Sequence, residues 1–71
     1  MGPEELDEIF SYHAPEKGDP EKYEAIRGAA KKLAAAILHN TPHCPDQSAA
    51  IRRVREAVMT ANSAIALKGR Y

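Results

Sequence analysis

Apolar residues return every third or fourth position through two long stretches of this 71-residue chain, and no strand-type alternation is sustained anywhere. The first stretch predicts a helix over residues 19–40. Its stripe is Tyr23, Ile26, Ala30, Leu33 and Ile37. Asp19 reads as its N-cap, with Pro20 at the first helical position, Glu21 beside it, Asn40 just past the end and Pro42 beyond. The second stretch predicts a helix over residues 44–68, opening near Cys44 with Pro45 and Asp46 in the first turn and stopping at Gly69. Its stripe is Gln47, Ile51, Val54, Val58, Ala61 and Ile65. Residues 1–18 read as a short helix followed by a connector. Pro3 to Phe10 places Leu6, Ile9 and Phe10 on one face, and Ser11 to Gly18 is irregular, with Tyr12, His13 and Pro15 extended. The loop between the long helices is short, so they lie antiparallel. The expected fold is all-α, a single helical-hairpin domain over residues 1–71.

One hairpin seam buries a single stripe per helix. Leu38, Met59 and Leu67 fall off the stripes, as do Ala35, Ala36, Ala57 and Ala64, small residues that let further helices approach closely. So little burial does not stabilise a lone hairpin, and the chain is expected to fold as a homo-oligomer.

Composition narrows the function classes. Apolar residues make up 44% of the chain and charged residues 28%, as in a globular protein. The longest apolar run, Leu33 to Leu38, is far too short to cross a bilayer, and the acidic N-terminus is unlike an export signal. The one cysteine, Cys44, has no internal partner, which fits a reducing cytoplasm. Net charge is zero but divided: residues 1–24 carry eight acids against two bases, and residues 25–71 carry eight bases against two acids. That asymmetry suits head-to-tail pairing of subunits or a basic pocket for a small anion, and it argues against a general DNA binder. Complementation of helix ends by charge accounts for it equally well.

Candidate chemistry is sparse. His39 and His43 have i, i+4 metal-ligand spacing beside Cys44, but Pro42 breaks the helix that would align them, so no metal is expected. Cys44 follows His43 directly, and adjacent residues rarely converge on one reacting atom; it reads as a stand-in for a capping serine. No paired carboxylates, glycine-rich phosphate loop or acid–base cluster is present, so neither enzymatic activity nor a cofactor is expected. Anion binding is the remaining option. Arg27 and Lys31 share a helical face, Lys32 follows, and Tyr12 upstream offers a ring for stacking on a base. Taken alone, Tyr12 reads more readily as a packing residue and Arg27 as a surface cation, and Arg52, Arg53 and Arg55 read first as a solvated face.

The order of short segments adds to that reading. Phe10-Ser11-Tyr12-His13-Ala14-Pro15, then Tyr23-Glu24-Ala25-Ile26-Arg27, then Lys32-Leu33-Ala34 resemble the first half of the phage anti-CBASS cyclic-nucleotide sponges. Pro42, Ser48, Glu56-Ala57-Val58-Met59 and Ala61-Asn62-Ser63-Ala64-Ile65-Ala66 resemble the second half, so the likeness spans about residues 9–66. It implies a hexamer of helical hairpins that binds cyclic dinucleotides of the 3',3'-cyclic GMP-AMP type between protomers without cleaving them. Sequestering that messenger silences a host anti-phage effector, in the cytoplasm of the infected bacterium. Some members also take cyclic trinucleotides in a second set of pockets. The resemblance makes Tyr12 the stacking residue and Arg27 the basic contact; His13, Lys31 and Asn62 complete the expected ligand-binding set. Two positions depart from the pattern: Thr60 stands where many relatives have tryptophan, and Leu67 replaces an arginine after the Ile-Ala pair. The competing readings are a small helical nucleic-acid-binding regulator using Arg52, Arg53 and Arg55, and a structural assembly protein without a ligand.

Overall fold

The computed structural model describes residues 2–71 and contains three helices: α1 (Pro3–Ile9), α2 (Asp19–Asn40) and α3 (Pro45–Ala66). The fold is all-α, a short N-terminal helix followed by an antiparallel α2–α3 hairpin, in agreement with the sequence. Among the described residues α2 against α3 is the one helix pair in contact; α1 packs on neither.

Local chemistry sets each boundary. α1 starts on Pro3 with Glu4 and Glu5 in its first turn, where acids complement the helix dipole. It stops at Ile9, with Phe10 as C-cap. Side chains from the connector then serve its last carbonyls: Ser11 Oγ donates to Asp7 O, and His13 Nε2 donates to Glu8 O at 2.6 Å. α2 spans the predicted residues 19–40, with its cap one residue earlier than expected. Gly18, at φ 89°, is the N-cap and Asp19 the first helical residue, so Pro20 falls second. The Asp19 carboxylate faces backwards instead, accepting the Glu16 N–H at 2.9 Å. Two prolines mark helix starts of the same kind: Pro20 and Pro45 both occupy first-turn positions, where a missing N–H costs nothing.

Asn40 is the last residue of α2 rather than the first beyond it; its Nδ2 donates to Ala36 O at 2.7 Å, and Thr41 takes the C-cap. The loop is tied by Gln47, 6% exposed and the most buried polar residue described. Its Nε2 lies 3.3 Å from Leu38 O, 3.1 Å from Thr41 O and 3.1 Å from Thr41 Oγ1. A polar residue on the α3 stripe therefore closes the C-terminal end of α2, and it sets Leu38 opposite Gln47.

The seam follows the predicted stripes with one shift. Tyr23, Ile26, Ala30 and Ile37 are half-buried, but Leu33 is 53% exposed and Ala34 takes its place inside. The α3 stripe is buried or half-buried along its whole length. Leu67 overturns the expectation that it lies off the seam: at 8% exposed it is the one buried apolar residue described. The helix ends at Ala66, two residues short of 68, and the chain turns there and carries Leu67 inward. Leu38 and Met59 stay exposed, as their positions off the stripes imply.

The isolated hairpin is far from compact. It exposes 5746 Å², where a folded monomer of this mass exposes about 4,400 Å². Its radius of gyration is 15.2 Å, against about 11 Å for a compact domain of this length. No helix among the described residues is long and apolar enough to cross a membrane, so that excess surface is not explained by a membrane-spanning helix.

Candidate functional site

The hairpin seam divides the surface into two grooves that share a floor of Ala30, Val54 and Val58. The first groove is bounded by Ile26, Ala29, Leu33, Ala57 and Ala61, with Arg53 as its one charged residue. These are small or apolar side chains, suited to a packed helix rather than to a polar ligand. The second groove has a wall as apolar as the first but more charge along its rim. It is bounded by Arg27 and Lys31 from α2 and by Arg55 and Met59 from α3, with Ala34 and Ile51 at one end. Three cations line it and no acid does.

Helical spacing explains the convergence. Arg27 and Lys31 are one turn apart on α2, and in the antiparallel register set by Gln47 they face the middle of α3, where Arg55 and Met59 are also one turn apart. None of the three cations is ion-paired within the described residues, whose salt bridges are Lys68–Glu16 and Arg70–Glu8. Their positive potential is thus available to an anion. Asn62 lies two turns along α3 from Arg55, on the same side. Its Oδ1 is buried without a hydrogen-bond partner. A rotation of the amide or an ordered water satisfies such an acceptor.

Of the five residues expected from the sequence, the structure brings Arg27 and Lys31 into one groove and sets Asn62 along the same face. Tyr12 and His13 lie in the connector ahead of α2 and line neither groove. Tyr12 is 86% exposed, so its ring is not a packing residue of the single chain. His13 is half-buried and donates Nε2–H to Glu8 O, which leaves Nδ1 as its free position. Arg55 was missed by sequence reasoning, which grouped it with Arg52 and Arg53 as a solvated face. The signal that separates them is the hairpin register: Arg53 opens onto the apolar groove and Arg55 onto the basic one. Cys44 is the N-cap of α3 but makes no side-chain cap hydrogen bond, so it does not do a serine's work there. Among the described residues no three His, Cys, Asp or Glu side chains gather to hold a metal.

At about 300 Å³ the basic groove sits at the lower end of ligand-pocket sizes, about 300–1,000 Å³. It is open along one side, so a second protein surface is needed to enclose a ligand of nucleotide size.

Fold and groove together define a helical hairpin with an open groove rimmed by cations and an exposed aromatic arm. Residues 2–66 match the family Acb2/Tad1, hairpin domain, and the chain belongs to that family, the nucleotide sponges that counter CBASS and Thoeris defence. Membership implies a cyclic-nucleotide sponge, in a family that binds nucleotides rather than cleaving them. No curated protein and no solved structure shows a significant match to the chain.

Proposed function

We propose that the protein sequesters cyclic dinucleotides of the 3',3'-cyclic GMP-AMP type inside a homo-oligomer, a hexamer of hairpins, in the cytoplasm of an infected bacterium. The observation that carries this reading is the groove of Arg27, Lys31 and Arg55, cationic and unpaired, in a chain whose exposed Tyr12 has no packing role of its own. Arginine and lysine contact the phosphates, Tyr12 stacks on a base, and Asn62, on the same side of α3 as Arg55, completes the set with its amide. His13 holds the arm and offers Nδ1. The apolar groove, lined by Ala29, Leu33, Ala57 and Ala61, supplies the contact between copies. Because the site has no acid–base pair, the ligand is released unchanged. Cyclic trinucleotides would occupy a second set of pockets, and Leu67 removes one cation from the helix end where such pockets draw theirs.

The nucleic-acid regulator is less well supported. It needs Arg52, Arg53 and Arg55 on one surface, but Arg53 and Arg55 open onto opposite grooves, and the net charge is zero. Native mass spectrometry with a panel of cyclic di- and trinucleotides tests the main reading. The expected result is an oligomer gaining a fixed number of intact ligands, with Tyr12→Ala and Arg27→Ala each weakening binding at least about tenfold. An oligomer that gains none at ligand well above micromolar, or that returns cleaved nucleotide, refutes it.

A further inference from the structure

The last five residues lie beyond the stretch that matches the family, and they make the contacts that hold the N-terminal arm. α3 ends in a reversal of the Schellman type: Gly69 N donates to Ala64 O at 3.0 Å and Lys68 N to Ile65 O at 3.2 Å. The left-handed position of that motif is normally glycine, yet here Lys68 occupies it at φ 56°, the one non-glycine residue with positive φ among those described. Gly69 follows at φ 74°, and the chain doubles back. Lys68 Nζ then meets Glu16 Oε1, Arg70 Nη2 meets Glu8 Oε1, and Tyr71 Oη donates to Glu8 Oε2 at 3.0 Å. Leu67, buried at 8% exposure, roots the turn.

Glu8 and Glu16 stand four residues to either side of Tyr12. Ser11 and His13 tie the arm only to α1, and Glu16 ties it to Asp19, so little else fixes its N-terminal part on the hairpin. α1 touches neither long helix, and Phe10 and Tyr12 are 82% and 86% exposed. We infer that Lys68, Arg70 and Tyr71 form a clasp of positioning residues that pins the arm at both ends and pre-sets Tyr12 for the ligand. The inference rests on the sponge reading for the role of Tyr12, but the placement of the arm does not. Each contact is exposed and weak singly. Acting on a segment with few other restraints, together they remove chain entropy that binding would otherwise have to remove.

The test uses the full-length protein with Glu16→Lys, Lys68→Glu, their double swap, and Arg70→Glu. Hydrogen exchange of residues 8–16 is measured without ligand, and affinity is measured with 3',3'-cyclic GMP-AMP. Each single variant should speed exchange in the arm and weaken binding by about three- to tenfold, through lost pre-organisation. The double swap should restore both, which a general loss of fold would not allow. Unchanged arm exchange, or unchanged affinity with a loosened arm, overturns the clasp. Should the wild type bind neither this probe nor any other cyclic nucleotide, the sponge reading fails, and arm exchange alone decides whether the tail holds the arm.

Discussion

Replacing Gln47 with methionine keeps the side chain's length and removes its two N–H donors. Three acceptors surround that amide nitrogen, the carbonyls of Leu38 and Thr41 and the Thr41 hydroxyl, and two hydrogens can satisfy two of them well at any moment. A net hydrogen bond contributes about 1 kcal/mol, and leaving a buried polar partner unpaired adds to the loss. Thr41 is exposed, so water recovers part of the deficit there. The expected loss is about 2 kcal/mol, which lowers Tm by about 10 °C for a domain of this size. Thermal denaturation followed by circular dichroism, at one fixed protein concentration, measures it, because assembly couples to unfolding. Gln47→Glu gives a sharper version. Near neutral pH the introduced carboxylate has no hydrogen to donate, and the one hydrogen among its neighbours, on Thr41 Oγ1, is already given to Ile37 O at 2.6 Å, so this variant should be less stable than Gln47→Met. Burial and acceptor neighbours raise the folded-state pKa of such a group above its unfolded value. Protonation then stabilises the fold, the gain is complete below the unfolded pKa, and it fades as pH rises through the folded one. Acidification should therefore narrow the gap between Gln47→Glu and Gln47→Met. A Gln47→Met protein within about 0.5 kcal/mol of wild type would refute the reasoning and show that water closes the end of α2 equally well.

Two further outcomes follow from the C-terminal turn. Leu67→Ala should cost about 2–3 kcal/mol, since it empties a buried site, and chemical denaturation reads this directly. A neutral result would mean that Leu67 is covered without being packed. The Tyr71 hydroxyl has its pKa raised above 10.0, chiefly by its hydrogen bond to Glu8, then by desolvation and by the nearby Glu8 and Glu5 charges. A raised folded-state pKa means that this contact is fully present below the unfolded phenol's pKa and is lost as pH rises through the folded one. The protection factor of residues 8–16, exchange relative to the intrinsic rate at each pH, should accordingly fall above about pH 10 by more in the wild type than in Tyr71→Phe.

The long helices and their antiparallel pairing were legible because a three-four repeat, two first-turn prolines and a short loop all point the same way. What escaped was decided by geometry beyond a single helix. Leu67 looked surplus because it is off the α3 stripe, but it lies past the helix end, where two left-handed residues redirect the chain. Leu33 fits an ideal repeat better than Ala34, yet in the hairpin it borders the apolar groove and stays exposed while Ala34 is half-buried. Gln47 was legible as a stripe position but not as a cap, since its acceptors lie six to nine residues away in sequence. Arg27 and Lys31 were found from their shared face on one helix. Arg55 needed the register across the hairpin to join them.

The two grooves share a floor only one layer of side chains thick, made by Ala30, Val54 and Val58. On the proposed reading, one side of that layer meets a neighbouring copy and the other meets the messenger. Packing strain is therefore transmitted from one side to the other, since so thin a wall has no interior in which to dissipate it. Ligand affinity and subunit affinity become linked quantities, and whatever factor the messenger adds to assembly, assembly returns to the messenger. A truncation such as Val54→Ala should move both together, and a concentrated protein should hold its ligand more tightly than a dilute one.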